Sequence, residues 1–449
     1  YVGFDAVIGN PPYIQLQKAY NDTMKYADLY KTMRYETFDR TGDIYCLFYE
    51  KGIQIAKDNG LLCYISSNKW MRAGYGEKLR NFFLKYNPLL LLDLGPGIFE
   101  SATVDTCIMM LQKSKIKDKY FLQAVTITKE KNLPLDIDEQ VKGKSVTLSK
   151  LTKDAWFIGS EAEQKLKEKI ERLGKPLKDW DVKIYYGIKT GFNEAFIIDN
   201  TKRQEILDNC KDEDERRRTE AIIKPILRGR DIKRYYYEWA GLWVIGTFPA
   251  LHLNIDEYPA IKKYLLDHFD IRQLEQSGKK YPELGFNARK KTRNKWFETQ
   301  DQIAYYPEFE KEKVVYPNMS MELQATYDAN NMLCNQKAFI ITGFNLKYII
   351  ALFNSKMEFW YFRKIGAMLG SSGYEMSKIF IRNLPLPPIT QSNQSIVSQI
   401  ESLVDKILAA KKENHAADTS EWEKDIDELV YKLYDLTEEE IAIVERRQE

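Results

Sequence analysis

Histidine and cysteine are scarce in this 449-residue chain, and neither is grouped. The three histidines (His252, His268, His415) are too scattered for a metal cluster. The five cysteines (Cys46, Cys63, Cys107, Cys210, Cys334) contain no C-x-x-C pair, which argues against a zinc site and against a disulfide framework. No apolar run approaches the ~18 residues that a membrane-spanning helix needs, and no signal peptide opens the chain. A membrane partner is therefore not expected, and the cytoplasm is the expected compartment. An initiating methionine is missing too: residue 1 is tyrosine, so a processed or truncated chain is expected.

What is present is an ordinary globular balance, 44% hydrophobic and 29% charged, in a chain long enough for two or three domains. The net charge of +2 conceals an asymmetry. Residues 401–449 carry 15 acidic and 7 basic side chains, a balance of −8, so the first 400 carry +10 (2 minus −8). A basic body points to a polyanionic partner.

Residues 1–112 alternate between the two periodicities. Phe4–Ile8 reads as a buried strand, Asp43–Lys57 as a helix and Leu61–Ser66 as a strand. Glu77–Tyr86 follows as a helix, then Leu89–Leu94 and Thr103–Leu111 as strands. Such alternation predicts an α/β domain with a mostly parallel sheet. Four strands make it thin, and more sheet is expected upstream of Tyr1. The Lys-rich stretch 113–150 reads as a linker or peripheral hairpin. Helix is predicted over Glu161–Leu173, an aromatic-rich α+β region over 176–390, and amphipathic helices over Ile396–Lys412 and Trp422–Tyr434. A further helix starts at Thr437, with Glu440 completing a capping box. The expected domains are 1–150, 151–390 and 391–449.

The first strand ends in Asn10-Pro11-Pro12-Tyr13. Asn10 and Pro11 both precede proline and are pushed out of the helical region, and the prolines have fixed φ and no N–H. The resulting corner offers acceptors, the Asn10 side-chain oxygen and the Pro11 carbonyl, beside the aromatic ring of Tyr13. Two acceptors next to a stacking surface suit a planar substrate bearing an NH2 group. Accepting both N–H bonds draws an aryl amine towards tetrahedral geometry and frees its lone pair for attack. The bland alternative is a proline-stiffened turn.

This motif after an apolar strand resembles the catalytic motif of amino-group methyltransferases that act on adenine in DNA. By that resemblance the fold is a Rossmann-like methyltransferase sheet, incomplete here, and Asn10, Pro11, Pro12 and Tyr13 form the catalytic corner. S-adenosylmethionine is then the methyl donor, and the adenine is flipped out of the duplex. Asp43-Ile44-Tyr45-Cys46-Leu47-Phe48 resembles the family's next motif, which places Asp43 and Tyr45 beside the cofactor. Ile98-Phe99 with Val104–Cys107 resembles the late motif, so Phe99 and Tyr13 would sandwich the base, each stack contributing roughly 1–3 kcal/mol. Phe99 as a plain core aromatic is the alternative. Asp93-Leu94-Gly95-Pro96-Gly97 imitates a cofactor turn, but such a turn should open a helix, and a β-branched run follows here. The main cofactor loop is therefore expected before Tyr1.

In the second half, "GIKTGFNEAF" (187–196) and "KPILRGRDIKRY" (224–235) mix cations with glycine turns. Gly278–Gln300 holds seven Lys or Arg against two Glu. Phosphate contacts and base readout need such side chains. The candidates for double-stranded DNA contact are Arg228, Arg230, Lys233 and Arg234, with Lys189, Thr190, Asn193, Arg289, Lys290, Lys291 and Arg293. For any one of them a solvated surface charge is the alternative.

With "WFETQDQIAYYPEFEKEKVVYPN" (296–318), "IRNLPLPP" (381–388) and the tail 427–445, these stretches resemble the target-recognition domain and helical ending of type IIG restriction–modification enzymes. That resemblance implies an adenine-specific methyltransferase part, the second half of its catalytic domain plus the reader. A nuclease domain using magnesium and the remaining N-terminal region of the same protein would complete it. A modification-only or phage-defence methyltransferase, a non-catalytic DNA specificity module and a protein-glutamine methyltransferase are the alternatives.

Overall fold

The computed structural model describes residues 3–18, 26–95, 98, 105–115, 121–127, 136–149, 151–368 and 373–446. The chain divides into two compact units, Tyr1–Arg172 with Tyr361–Glu375, and Leu173–Trp360 with Met376–Arg447. Residues 151–172 thus join the first unit, and the C-terminal helices join the second.

The first unit is built on a six-stranded sheet in the order β1-β2-β4-β3-β5-β6. Its strands are β1 Phe4–Gly9, β2 Ala56–Ser67, β3 Asn87–Gly95, β4 Thr106–Gln112, β5 Leu122–Thr126 and β6 Val146–Leu148. The α/β class holds, but the sheet is mixed rather than mostly parallel. β1–β2 and β3–β5 are parallel, while β2–β4, β3–β4 and β5–β6 are antiparallel. The stretch read as a linker supplies β5 and β6, because Leu122, Ala124 and Leu148 turn into the core while Gln123, Thr126 and Thr147 face outward. β1 is not buried as its apolar run suggested. It lies at the sheet edge, paired only with β2 among the described residues, and Phe4 and Ile8 stand 50% and 80% exposed.

Helix α1, Tyr45–Ile55, covers the sheet through Tyr45, Tyr49 and Ile53, which recur every four residues on one face. Gly52 lets it approach closely: a Cβ there would stand 2.6 Å from Leu62 and 2.8 Å from the Tyr64 hydroxyl. Helix α2, Glu77–Phe83, adds Leu79, Phe82 and Phe83 to the same core. There Trp70, Phe83 and Trp156 meet edge-on at 5.0 and 5.3 Å, arrangements worth about 0.5–1.5 kcal/mol each beyond burial. Helix α3 runs over Glu161–Leu173, as its periodicity predicted.

The second unit has two four-stranded sheets. The first joins β7 Val182–Tyr186, β11 Lys313–Pro317, β12 Thr326–Asp328 and β14 Ala338–Gly343, in the order β12-β11-β14-β7, all antiparallel. The second joins β8 Ile197–Ile198, β9 Ile223–Leu227, β10 Trp243–Ile245 and β13 Leu333–Cys334, in the order β13-β9-β10-β8. Lys313 and Asp328 form an ion pair of 2.6 Å across β11 and β12 with both side chains fully buried. The pair is tolerated because Asp328 also accepts the Met332 and Asn330 amides and Lys313 donates to the Phe309 carbonyl.

Among the helices of the unit are α4 Leu346–Phe353, α5 Gln394–Glu413, α6 Ser420–Leu433 and α7 Glu438–Glu445. α5 buries Val397, Ile400, Val404 and Ile407, and the Thr437–Glu440 capping box starts α7 as expected.

Candidate functional site

The first strand delivers Asn10 to the end of a parallel pair, since Gly9, opposite Tyr64, is the last paired residue of β1. Asn10 is exposed, Pro11 is buried and Tyr13 is half-buried. The Tyr13 hydroxyl donates to Asn10 Oδ1 at 2.9 Å, which fixes that oxygen as an acceptor. The Pro11 carbonyl accepts no hydrogen bond among the described residues. Just downstream, the chain is clamped to the entry of α1 by Leu16 N–H to the Gly42 carbonyl (3.0 Å) and Ile44 N–H to the Ile14 carbonyl (2.9 Å). That clamp sets Asp43 and Tyr45 beside the corner, with the Tyr13 and Tyr45 rings edge to face at 6.4 Å and 79°.

Asp43 is 8% exposed, and burial raises its carboxyl above the usual range, partly offset by the Tyr75 hydroxyl and Lys69. Tyr75 donates to Asp43 Oδ2 at 3.1 Å and shares a 2.7 Å hydrogen bond with Tyr45. Tyr45 is fully buried, and its hydroxyl bonds that of Tyr75, not the Asp43 carboxylate. Asp43 Oδ1 is without a hydrogen-bond partner among the described residues, and Gln15 Oε1 is buried without one. Tyr75 was missed by the sequence reading. Its signal was a single tyrosine between two glycines, Gly74 and Gly76, at the entry of a helix.

At the end of β3, Asn68 donates to Asp93 Oδ1 at 2.8 Å, and Gly95 adopts φ +63° with its N–H on the same oxygen at 3.3 Å. β4, the next described strand, runs antiparallel to β3, and most of the segment between Gly95 and Asp105 lies outside the described residues. Phe99 lies outside the described residues.

In the second unit the candidate cations divide. Arg289 is 5% exposed, and its guanidinium donates to the carbonyls of Leu274, Thr190, Glu298 and Trp296 at 2.6–3.1 Å. Burial lowers its pKa to about 10. It ties loops together from inside and is not surface for a ligand. Arg234 bonds Glu423 and the Asn354 carbonyl, and Arg228 is bound to the buried Asp231 at 2.7 Å. Thr190 is fully buried and donates to Asn193 Oδ1 at 2.7 Å, closing the turn that opens Asn193–Phe196. Lys233 donates to the Arg230 carbonyl at 3.0 Å. Arg230, Lys290, Lys291 and Arg293 are exposed and Lys189 half-exposed; Lys189 and Lys290 both act on Asp301.

The structure also joins stretches distant in sequence. Gln300 N–H meets the Thr190 carbonyl (2.9 Å), Ile188 N–H the Cys334 carbonyl (2.7 Å), and Asn335 N–H the Leu227 carbonyl (2.9 Å). The loops at 187–193, 227–233, 289–301 and 334–338 therefore form one assembly.

Against known proteins, residues 1–97 match the family profile described as Eco57I restriction-modification methylase, and residues 224–386 match the TaqI-like C-terminal specificity domain. The chain is 25% identical to Type II methyltransferase M.BstVI of Geobacillus stearothermophilus, over 99% of this chain and 75% of that protein. Identity to the Type II restriction enzyme and methyltransferase RM.Eco57I of Escherichia coli is 29%, over 45% of this chain and 20% of that protein. Identity to Type II methyltransferase M.PaeR7I of Pseudomonas aeruginosa is 23%, over 76% and 56%. The chain thus spans three quarters of one of these relatives, about half of another and a fifth of the third. Its fold is similar to that of the Type IIL restriction-modification enzyme MmeI, solved in complex with DNA, with a TM-score of 0.60 and 14% identity over 97% of this chain and 55% of that one. A methylase match at the front and a specificity-domain match behind it, along one chain, make the protein similar to type II restriction–modification methylases that carry a TaqI-like specificity domain.

Proposed function

We propose that the first unit transfers a methyl group to the exocyclic amine of an adenine flipped from duplex DNA, and that the second unit selects the sequence. The observation that carries this is the pair of acceptors at the end of β1: Asn10 Oδ1, held by the Tyr13 hydroxyl, and the Pro11 carbonyl, unpaired among the described residues. Both can accept from one NH2 group while the Tyr13 ring lies against the base. The amine nitrogen then attacks with its lone pair free of the ring, and the product loses its extra proton to water. Base flipping is what brings such a group to an exposed corner.

The methyltransferase relatives imply S-adenosylmethionine, which supplies an electrophilic methyl group when bound. The corner fits a ligand rich in N–H and O–H donors, because Asp43 Oδ1 and the buried Gln15 Oε1 are acceptors without partners among the described residues. Asp43 and Gln15 are the residues that would hold such donors, with Tyr75 and Tyr45 orienting the carboxylate.

Cleavage of DNA by the same protein, with magnesium, is a second reading, favoured by the 29% identity to RM.Eco57I, which its name describes as both restriction enzyme and methyltransferase. The experiment for the main reading is Asn10→Ala. Methyl transfer to adenine in duplex DNA should be abolished while DNA binding persists. Methylation at the wild-type rate would sink the mechanism.

A further inference from the structure

Resting on the reading of the second unit as a DNA reader, we infer that Gln336, at the tip of the Asn335–Ala338 turn, reads a base edge, and that Lys337 and Arg230 hold the phosphates beside it. None of the three belongs to a side-chain network of the protein. Among the described residues their side chains make no hydrogen bond or ion pair, whereas Arg228, Arg234 and Arg289 are all engaged internally.

The turn itself is rigid. Ala338 N–H closes it on the Asn335 carbonyl at 3.0 Å, which leaves Gln336 and Lys337 at its two corner positions. Every backbone N–H in it is satisfied: Asn335 by Leu227 (2.9 Å), Gln336 by Ile188 (2.9 Å) and Lys337 by Asn335 Oδ1 (3.0 Å). The Lys337 carbonyl accepts from Asn318 N–H at 2.7 Å. Two glycines permit this packing. A Cβ at Gly187 would stand 1.9 Å from the Asn335 carbonyl oxygen, and one at Gly229 would stand 2.3 Å from that of Lys337. The turn is therefore held from three sides, and with its N–H groups all engaged only side chains can donate to a ligand. A neutral amide with donor and acceptor side by side suits the N6 and N7 edge of adenine. Lys337 and, next to Gly229, Arg230 flank it as exposed cations, the chemistry that positions a reader on phosphates without selecting sequence. Composition could not flag this site, because Asn-Gln-Lys carries one charge among three residues.

The test is selection of randomised duplex DNA by the purified protein, followed by sequencing of the bound fraction. Wild type should select a motif containing an A·T pair whose preference Gln336→Ala weakens roughly tenfold or more, leaving the other positions intact. Gln336→Glu should move that position towards C·G, because a carboxylate accepts from cytosine N4. Lys337→Ala should weaken binding to all sequences alike and reduce the salt slope by about 1. If both Gln336 variants, folded as judged by wild-type thermal unfolding, select the wild-type motif with undiminished discrimination, the inference is overturned. A wild-type protein that binds duplex DNA but selects no motif overturns the reader assignment itself, before any variant is measured.

Discussion

At the end of β1 the polar groups stand open: Asn10 is exposed, and among the described residues the Pro11 carbonyl is unpaired and Asp43 keeps one oxygen free. In the second unit, much of the charge that reads as binding surface turns inward. Arg289 is sealed among four carbonyls, Arg234 is bound to Glu423 and Arg228 to Asp231. The contrast has a physical basis. A carbonyl or carboxylate can be held in place by one neighbour and still offer a lone pair, so a functional acceptor can be built within a short motif. A guanidinium carries five donors in a planar fork, and a loop-rich unit with many unpaired carbonyls uses it as a strut. Arginine in such a domain is thus weak evidence of ligand contact until its partners are known.

The strongest way to break this contrast is Arg289→Ala. Removing the fork leaves the Leu274 and Trp296 carbonyls without a donor among the described residues, takes one of two donors from the Thr190 and Glu298 carbonyls, and deletes a cation stacked 5.0 Å from the Phe196 ring. Stability should fall by on the order of 3–5 kcal/mol in denaturant unfolding. Arg289→Lys should recover only part, since an ammonium has three donors on a single point. A stable Arg289→Ala protein with weakened DNA binding would return this residue to the surface list.

Buried acids sharpen the same contrast. Glu358 lies fully buried, hydrogen-bonded to the Tyr434 hydroxyl, with its other oxygen unpartnered among the described residues, and burial raises its pKa to about 8. Its folded pKa exceeds the unfolded value of 4.5, so its contribution is fully present below about 4.5 and is lost as pH rises towards 8. Glu358→Gln should therefore flatten the stability–pH curve between those limits, by on the order of 4 kcal/mol at the upper end. An unchanged slope would show that another group sets it. Asp43 is the open counterpart. Tyr75→Phe removes its donor and should lower methyl transfer roughly tenfold, mainly through weaker S-adenosylmethionine binding, with thermal stability near wild type. A loss confined to stability would assign Tyr75 to the core alone.

How far the sequence could be read follows from the same division. Asn10–Tyr13 at a strand end, α1 with its stripe of Tyr45, Tyr49 and Ile53, and the Thr437–Glu440 box depend on neighbours within a few residues, and these are legible. The mixed sheet is not, because Leu122–Thr126 and Val146–Leu148 become strands only through partners supplied by β3 and by each other. Exposure of β1 has the same cause: an apolar run says nothing about which side of a strand is covered. Arg289 and Lys290 are adjacent and alike in charge, yet one is core and the other surface. Gln336 carries no charge signal, and its turn is positioned by Leu227 and Ile188, more than 100 residues away in sequence.

The smallest expected effect bears most directly on that last pair. Lys290 and Lys291 are exposed and bond no carbonyl among the described residues, so their removal should leave stability within about 0.5 kcal/mol of wild type. If they meet phosphates, each alanine variant should weaken DNA binding independently of sequence and reduce the slope of log affinity against log salt by about 1. Arg289→Lys, compared at a temperature where it is folded, should leave that slope alone. A slope that responds at Arg289 and not at Lys290 or Lys291 would reverse the inward and outward assignments along this loop, because counterion release reports only charges that reach the DNA.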